Sequence, residues 1–390
     1  MKKFFIISFL LGIFLGLPLL GGLVGYQIAR RKYRQHPWAA NSVVQKRFQL
    51  WKDIETLAGA FASDHIPLTG VEKCYYTKSL DFSRITWAGR DMPVPFVNYA
   101  PVPGPLASGH INSMHFRYAR ELQTPKPPRT CRIFITGGSM AFGSGASSNE
   151  TTVGGYLEKH LNRQSDQFGC RFEVITAATC AWASTHERIL IENRLVHLQP
   201  DLVIALSGFN DAVAADTKSD VLWYRALQDD YFFTLTNSMV GINFKYPFPD
   251  KLSSAEKPIS PAQSADRLAY NAKLAHHALQ TAGADYCFAL QPVMIISRKV
   301  RTPREIKMST IYNRPSYVGH YKEYRARLGK LSLPGYHYFD LTGIFDNDKG
   351  TDIFIDGCHF GDRGHDLIAQ ALRDRLTPVL KARFKTIHKS

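Results

Sequence analysis

The sequence has few residues arranged as metal ligands or redox centres. It contains six cysteines among 390 residues, and none stands in a CxxC pair or at a cysteine-histidine spacing typical of zinc. The 14 histidines form no HExxH motif, and His359 and His365, six positions apart, are a poor metal pair. These absences predict a protein that uses no metal and no organic cofactor. Cys131 and Cys170, which open two predicted neighbouring strands, could form a disulfide in an oxidising compartment.

Nucleotide-binding signatures are also absent. No glycine-rich loop ends in GK[ST], which excludes a P-loop of the Walker type. Acidic residues are scarce, because 33 Asp and Glu stand against 48 Lys and Arg and leave a net charge of +15. That excess suits a nucleic acid, a membrane surface or an anionic polymer as partner. Since no nucleic-acid-binding motif accompanies the basic residues, we expect no nucleic-acid partner.

One long hydrophobic run is present, at residues 4–26, and it contains no charged residue. As a helix it would span about 34 Å, enough to cross the apolar core of a bilayer. A cleaved signal peptide is the alternative, since Lys2 and Lys3 precede the run, but no small-residue cleavage site follows it. We therefore expect a single-pass N-terminal anchor that contacts the membrane through residues 4–29.

Two opposing signals bear on which side of the membrane the domain after the anchor lies. The basic cluster of residues 30–34 outnumbers the positive charges before the run, and by the positive-inside rule this favours a cytoplasmic domain. The very short cationic tail in front of the run is, however, awkward to translocate. We expect the domain that follows the anchor to be extracytoplasmic.

Composition divides the chain into three parts. Residues 1–36 are the anchor with its basic juxtamembrane segment, and residues 37–125 are an extension without repeats, expected to pack on the next domain. In residues 126–390, short apolar runs alternate with segments of helical periodicity, which is typical of βαβ units and a parallel sheet. The runs are CRIFITGG, RFEVITA, DLVIALSG, DYCFALQ and YHYFDLTG.

From this alternation we predict a three-layer α/β/α sandwich around a five-stranded parallel sheet, of the flavodoxin-like type. Insertions are expected near residues 215–262 and 295–335. Ser184 and Glu187 fit the pattern of a capping box at the start of one of the helices.

The loops after the apolar runs are the candidates for chemistry, because ligands of open α/β sheets bind beyond the carboxyl ends of the strands. GGS (residues 137–139) follows the first run, and its small residues would leave the Ser139 hydroxyl exposed. SGFND (residues 207–211) follows the third run. Asp356 stands three residues before His359, close enough to hold one imidazole nitrogen while the other faces outward. Each block alone also fits an ordinary turn or helix cap.

Together and in this order, the GGS, GFND and DxxH blocks resemble those of the SGNH/GDSL hydrolases, over roughly residues 112–383. The flanking segments, among them Asn112-x-x-x-Phe-Arg117, look like those of membrane-attached or secreted bacterial members. The resemblance implies that Ser139 is a nucleophile, that His359 removes its proton, and that Asp356 fixes the imidazole tautomer.

The resemblance also implies an oxyanion hole. Its donors would be the backbone N–H groups of Ser139 and Ala181 and the side-chain amide of Asn210, with Gly138, Gly208 and Asp211 in supporting positions. Ala181 departs from the family pattern, which has glycine there. An alanine N–H can serve only if its backbone angles allow it.

The expected activity is that of a serine esterase which forms an acyl-enzyme on Ser139. The ester could be an O-acyl group of an envelope polysaccharide or a lipid. An O-acyltransferase that uses the same intermediate is an alternative. A catalytically inactive, membrane-anchored binding module is another, and the Ala181 departure points to it.

Two further segments bear on the substrate. Residues 298–330 hold ten Lys or Arg against two Glu, interleaved with Tyr312, Tyr317, Tyr321 and Tyr324. This run follows the fourth predicted strand, so it is either a cationic, aromatic-lined cleft wall for an anionic acyl substrate or a solvated helix near an anionic membrane. Residues 215–262 are rich in aromatics and are expected to form a lid, an acyl pocket or local packing.

Overall fold

The computed structural model describes residues 71–77, 80–82, 85–216, 259–309 and 313–387, with side chains of the last helix up to residue 384. Within these ranges no helix is long and apolar enough to cross a membrane. The predicted anchor at residues 4–26 and most of the predicted aromatic insertion lie outside the described residues.

The described part of the N-terminal extension forms two small antiparallel hairpins. Their strands are β1 (Asp91–Val94) with β2 (Asn98–Pro101) and β3 (Gly104–Leu106) with β4 (Gly109–Ile111). Tyr99 and Phe116 from this region are buried in the same core as the strands that follow. The extension therefore packs directly on the main sheet.

A five-stranded parallel sheet forms the centre of the fold, as the apolar runs predict. Its strands are β5 (Thr130–Gly137), β6 (Arg171–Thr176), β7 (Leu202–Ser207), β8 (Asp285–Leu290) and β9 (Tyr336–Asp340). They lie in the order β6-β5-β7-β8-β9. All six residues of β7 are buried, which is typical of a parallel strand covered on both faces. The order reverses between β5 and β7, and such a switch point is where open α/β sheets bind ligands.

Helices cover the sheet in two layers. They are α1 (Ser139–Phe142), α2 (Val153–Asn162), α3 (Ser184–Asn193), α4 (Phe209–Asp216), α5 (Pro261–Thr281), α6 (Pro303–Met308), α7 (Ser316–Leu328) and α8 (Asp362–Ile387). Helix α2 packs against α8, while α5 packs against both α3 and α7. The helices thus form two separately packed groups, as expected when a parallel sheet is covered on both faces.

The predicted capping box at Ser184 and Glu187 is wrong. Helix α3 begins at Ser184 with Ala183 as its N-cap. The Glu187 carboxylate faces the sheet, where it accepts hydrogen bonds from the hydroxyls of Thr136 and Ser207. Glu187 is 2% exposed, and its carboxylate accepts hydrogen bonds from two buried hydroxyls of the sheet. It is therefore not used to cap the start of the helix, as the local sequence pattern suggests.

All six cysteines are free thiols, so the disulfide considered for Cys131 and Cys170 is not formed. Cys131 is the second residue of β5, and Cys170 directly precedes β6. The two strands are neighbours, as predicted, with Cys131 opposite Phe172.

Candidate active site

The three sequence blocks meet at the carboxyl edge of the sheet. Ser139 begins α1 directly after β5, and Asn210 lies in the first turn of α4 after β7, so the two flank the switch point. His359 comes from the loop that precedes α8. Residues more than two hundred positions apart are thereby brought within bonding distance.

Ser139, His359 and Asp356 form a continuous chain of hydrogen bonds. The Ser139 Oγ lies 2.8 Å from Nε2 of His359, and Nδ1 of the same ring lies 2.7 Å from Oδ2 of Asp356. Each distance is within hydrogen-bonding range, and the imidazole uses its two nitrogens for different partners. This arrangement allows the histidine to take the serine proton while the carboxylate fixes its tautomer.

Asp356 is held by its own loop as well as by the histidine. Its Oδ1 accepts the backbone N–H groups of Cys358 and His359, each at 2.8 Å. The residue is 0% exposed, and burial alone favours the neutral acid. The adjacent His359 and these hydrogen bonds outweigh burial and lower the pKa of Asp356 below its ordinary value. The carboxylate is therefore ionised, as orientation of an imidazolium requires.

The turn that carries Ser139 depends on two glycines. Gly137 has φ +147, a conformation that L side chains rarely adopt. A Cβ on Gly138 would lie 2.2 Å from Nδ2 of Asn210 and 2.9 Å from the Trp182 carbonyl oxygen. Gly138 therefore lets the Asn210 amide and the loop of residues 177–183 approach the backbone that carries Ser139.

Ala181 lies in that loop and adopts the left-handed region, with φ 62. This is the region that glycine occupies without strain, so the alanine keeps a glycine-like backbone at a steric cost. The Asn210 Nδ2 donates to the Trp182 carbonyl at 2.6 Å, which ties α4 to the loop one residue beyond Ala181. An amide NH₂ has a second N–H for a substrate oxygen. The structure thus brings Ser139, Ala181 and Asn210 to one edge, next to the glycines in supporting positions.

Asp211 holds the other end of the same loop. Its Oδ1 accepts the Ser184 hydroxyl and its Oδ2 accepts the Ser184 backbone N–H, the latter at 3.2 Å. Gly208, with φ +115, turns the chain from β7 into α4 and so presents Asn210 and Asp211 together. The GFND block therefore contacts the loop that carries Ala181 at two points, Trp182 and Ser184.

Burial raises the pKa of two carboxyl groups in this part of the site above their ordinary values. Burial raises the pKa of Asp211 to about 6, although hydrogen bonds from Ser184 oppose the rise. Burial raises the pKa of Glu187 to about 8, against hydrogen bonds from Ser207 and Thr136 and with help from nearby Asp211. The role of Glu187 as a support of the site could not be predicted from the sequence, because its partners Thr136 and Ser207 belong to two other segments of the chain.

The extension also reaches the site, a contact that was not predicted from the sequence. Arg117 is 1% exposed and donates to the carbonyl oxygens of Phe142 and Gly143 at 3.3 and 2.8 Å, just after the nucleophile helix. It also donates to the Ser108 carbonyl oxygen at 2.9 Å. The Trp87 ring lies beside His359. The Asn112-x-x-x-Phe-Arg117 segment was a usable signal for Arg117, whereas nothing in the local sequence marks Trp87.

The basic run of residues 298–330 is largely engaged within the fold. Lys299 forms a buried ion pair with Glu305, with Nζ and Oε2 2.7 Å apart. Arginines of the run pair with carboxylates outside it, in the pairs Arg314–Asp216, Arg325–Asp340 and Arg327–Asp266.

The tyrosines of the run are also turned inward. Tyr317, Tyr321 and Tyr324 are each at most 2% exposed, and Tyr312 lies outside the described residues. These side chains pack inside the domain, so they do not fit the first of the two alternatives, a cationic cleft wall lined by aromatics.

Glu305 links this run to the loop that carries Asp356 and His359. Its Oε1 accepts the backbone N–H groups of Ile353 and Phe354 at 2.9 and 3.1 Å. The segment just before Asp356 is therefore held by the carboxylate of a buried ion pair.

One group of described residues has the composition of a metal site. Asp356, Cys358 and His359 each offer a ligand atom within 4.8 Å of the others. The facing atoms of Asp356 and His359 are already hydrogen-bonded to each other, and burial raises the pKa of the Cys358 thiol well above its ordinary value. A thiol that resists ionisation is a poor metal ligand, so this geometry fits serine activation better.

No protein-family model and no curated protein matches the chain. Among solved structures it is similar to an acetyl xylan esterase, with 16% identity and a TM-score of 0.39 over 63% of this chain and 99% of that one. It is also similar to a GDSL-like lipase from Parabacteroides merdae, described as putative, with 14% identity and a TM-score of 0.40 over 63% and 94% of the two chains. A lipase from a goat rumen metagenome has 11% identity and a TM-score of 0.38, over 63% and 96%. These three proteins are named as an esterase or as lipases.

Proposed function

We propose that this protein is a serine esterase that cleaves carboxylic esters through an acyl-enzyme on Ser139. The single observation that carries the proposal is the hydrogen-bonded chain from Ser139 Oγ through His359 to the buried carboxylate of Asp356. An activated hydroxyl at a sheet edge, beside a backbone loop with candidate oxyanion donors, suits acyl transfer.

Acylation begins when Ser139 Oγ attacks the ester carbonyl carbon while His359 Nε2 takes the hydroxyl proton. The carbonyl oxygen gains negative charge and is held by the N–H groups of Ser139 and Ala181 and by the Asn210 amide. The C–O bond to the alcohol then breaks, and the imidazolium returns its proton to the departing alcohol oxygen.

Deacylation repeats these steps with water as the nucleophile. His359 takes a proton from water, the hydroxide attacks the acyl carbon, and the acid leaves with Ser139 reprotonated. Asp356 stays ionised throughout and stabilises the imidazolium, so no proton moves onto the carboxylate. We extend the proposal to an extracytoplasmic, membrane-anchored enzyme acting on O-acyl groups of envelope polysaccharides or lipids, on the strength of residues 4–26.

Covalent labelling tests the proposal most directly. A fluorophosphonate probe is expected to label the wild-type protein and not Ser139→Ala, and hydrolysis of short-chain p-nitrophenyl esters is expected to disappear in the same variant. Ser165→Ala is the matched control, because Ser165 lies in a surface turn before β6, at the opposite edge of the sheet. Labelling that survives in Ser139→Ala, or a folded wild type that is neither labelled nor active, would contradict the proposal.

The same assay separates the two alternatives. Release of the acyl group to an added sugar or alcohol in preference to water would show an acyltransferase. Binding of acylated glycans without any labelling of Ser139 would show an inactive binding module.

A further inference from the structure

Trp87 belongs to the N-terminal extension but lies against the catalytic histidine. Its ring centroid is 6.4 Å from that of His359, at an interplanar angle of 79°, so the two rings meet edge to face. The side chain is partly exposed, and its buried part packs on a small cluster that includes Ile85 and Ile355. The indole is thus held between this cluster and the His359 ring, and it keeps part of its surface exposed.

The backbone of this segment is fastened to both halves of the site. The Trp87 carbonyl oxygen accepts the Ser144 hydroxyl, which follows the nucleophile helix, and the Cys180 thiol at 3.4 Å, which precedes Ala181. The Thr86 carbonyl oxygen accepts the Gly145 N–H at 3.3 Å. Trp87 is therefore positioned relative to Ser139 as well as to His359.

The position of Trp87 beside His359 indicates which half of a bound ester it would contact. His359 delivers its proton to the oxygen of the departing alcohol, whereas the oxyanion donors around Ala181 and Asn210 face the carbonyl oxygen. A ring that contacts the imidazole therefore flanks the alcohol half rather than the acyl chain.

We propose that Trp87 is a specificity-determining residue that packs against the alcohol half of the substrate, and that this half is a pyranose ring. The inference rests on the proposed esterase function. An indole offers a flat apolar face, and a pyranose presents C–H groups on one face while its hydroxyls stay in water. An unbranched short alcohol has no such face to offer.

A comparison of two acetate esters tests the proposal, because they share the acyl group and differ only in the alcohol. The probes are an O-acetylated methyl pyranoside and ethyl acetate. Trp87→Ala is expected to lower kcat/KM for the pyranoside about ten-fold and to change that for ethyl acetate less than about two-fold. Trp87→Phe keeps an aromatic face and is expected to recover most of the loss.

Deacylation gives a second readout, since the alcohol has left before water attacks. The rate of acetyl-enzyme breakdown, taken from burst kinetics with p-nitrophenyl acetate, is expected to fall in Trp87→Ala by a smaller factor than kcat/KM for the pyranoside. Equal losses on both esters, or a loss in deacylation as large as the loss on the pyranoside, would show that Trp87 only supports His359 and would overturn the inference.

The wild-type activities on the two esters separate failure of this inference from failure of the proposed function. Wild-type hydrolysis of ethyl acetate without hydrolysis of the pyranoside contradicts the inference alone. A folded wild type that hydrolyses neither ester and is not labelled at Ser139 contradicts the proposed function itself.

Discussion

The two halves of the candidate site are built in opposite ways. The acid-base half, Asp356 with His359, lies within four consecutive residues, and its key bonds are local. The oxyanion half is assembled from separate segments, because Ala181 follows β6, Asn210 follows β7 and both depend on side chains elsewhere. A local half can be recognised in a sequence, whereas an assembled half becomes visible only in the folded chain.

The two halves also differ in the pKa shifts of their buried carboxyl groups. Asp356 and Glu187 are both buried, yet the pKa of Asp356 is lowered and that of Glu187 is raised. Asp356 has two backbone N–H donors and a histidine that can carry positive charge, whereas Glu187 has two neutral hydroxyls and a carboxyl group, Asp211, nearby. Burial alone therefore does not decide the charge state, and the partners do.

The largest expected effect comes from breaking the local half. Asp356→Asn keeps the shape of the residue but removes the charge that stabilises the imidazolium, so kcat for ester hydrolysis is expected to fall by about 10⁴-fold. Steady-state kinetics on a p-nitrophenyl ester, with fluorophosphonate labelling rates, measure the change.

The chain offers a matched control for this variant. Asp366 forms another aspartate-histidine pair with His160, at 2.7 Å between Oδ1 and Nε2, where α2 packs on α8. Asp366→Asn breaks a pair of the same chemistry away from Ser139 and is expected to leave kcat unchanged. A similar fall in both variants would mean that the loss at Asp356 is one of folding.

The assembled half is expected to respond to pH through Glu187. Its folded pKa of about 8 lies above its ordinary value of 4.5, so the folded state holds the proton more tightly than the unfolded state does. The resulting stability is present below pH 4.5 and is lost as the pH rises toward about 8. The free energy of unfolding should therefore fall by up to about 1.4 kcal/mol per pH unit in this window through this group.

Glu187→Gln removes the titration while keeping an acceptor for the buried hydroxyls. Urea unfolding of the wild type and the variant at pH 5 and pH 7 is expected to show a profile flatter in the variant by roughly 2–3 kcal/mol over these two units. Glu192→Gln, on the same helix and in an ion pair with Arg188, is the control that should keep the wild-type slope. Parallel profiles for wild type and Glu187→Gln would show that Glu187 is already ionised at pH 5.

The acid limb of the stability profile belongs to the other half. Because the folded pKa of Asp356 lies below its ordinary value of 3.8, its contribution is present above that pH and is lost as the pH falls through the folded pKa. The two halves of one site are thus destabilised from opposite ends of the pH scale.

The parts of the fold that sequence could predict are those with local or periodic signals. The three inner strands, β5, β7 and β8, could be predicted because a parallel strand covered on both faces is a near-continuous apolar run. The DGCH block was readable because its carboxylate and imidazole are three positions apart.

The parts that sequence could not predict depend on contacts between distant segments. Glu187 fits a capping pattern locally, but its acceptors are used by Thr136 and Ser207 across the sheet. Trp87 carries no motif, and its bonds to Ser144 and Cys180 join segments that only the fold brings together. The ion pairs of the basic run likewise use partners such as Asp216, far from Arg314 in sequence.

The smallest expected effect sharpens the comparison at Ala181. Its φ of 62 is a conformation that glycine adopts freely and that costs an alanine roughly 1–2 kcal/mol. Ala181→Gly relieves this strain but gives the unfolded chain more freedom, so the free energy of unfolding is expected to rise by no more than about 1 kcal/mol. The oxyanion donor at this position is a backbone N–H, which glycine keeps, so kcat should change less than about three-fold.

Ala181→Val adds a branched Cβ at the same positive φ and is expected to lower both stability and kcat. Urea unfolding and kcat, measured together for the two variants, separate backbone conformation from side-chain packing. A glycine variant as impaired as the valine variant would mean that the alanine methyl group, rather than the backbone angle, holds the oxyanion half in place.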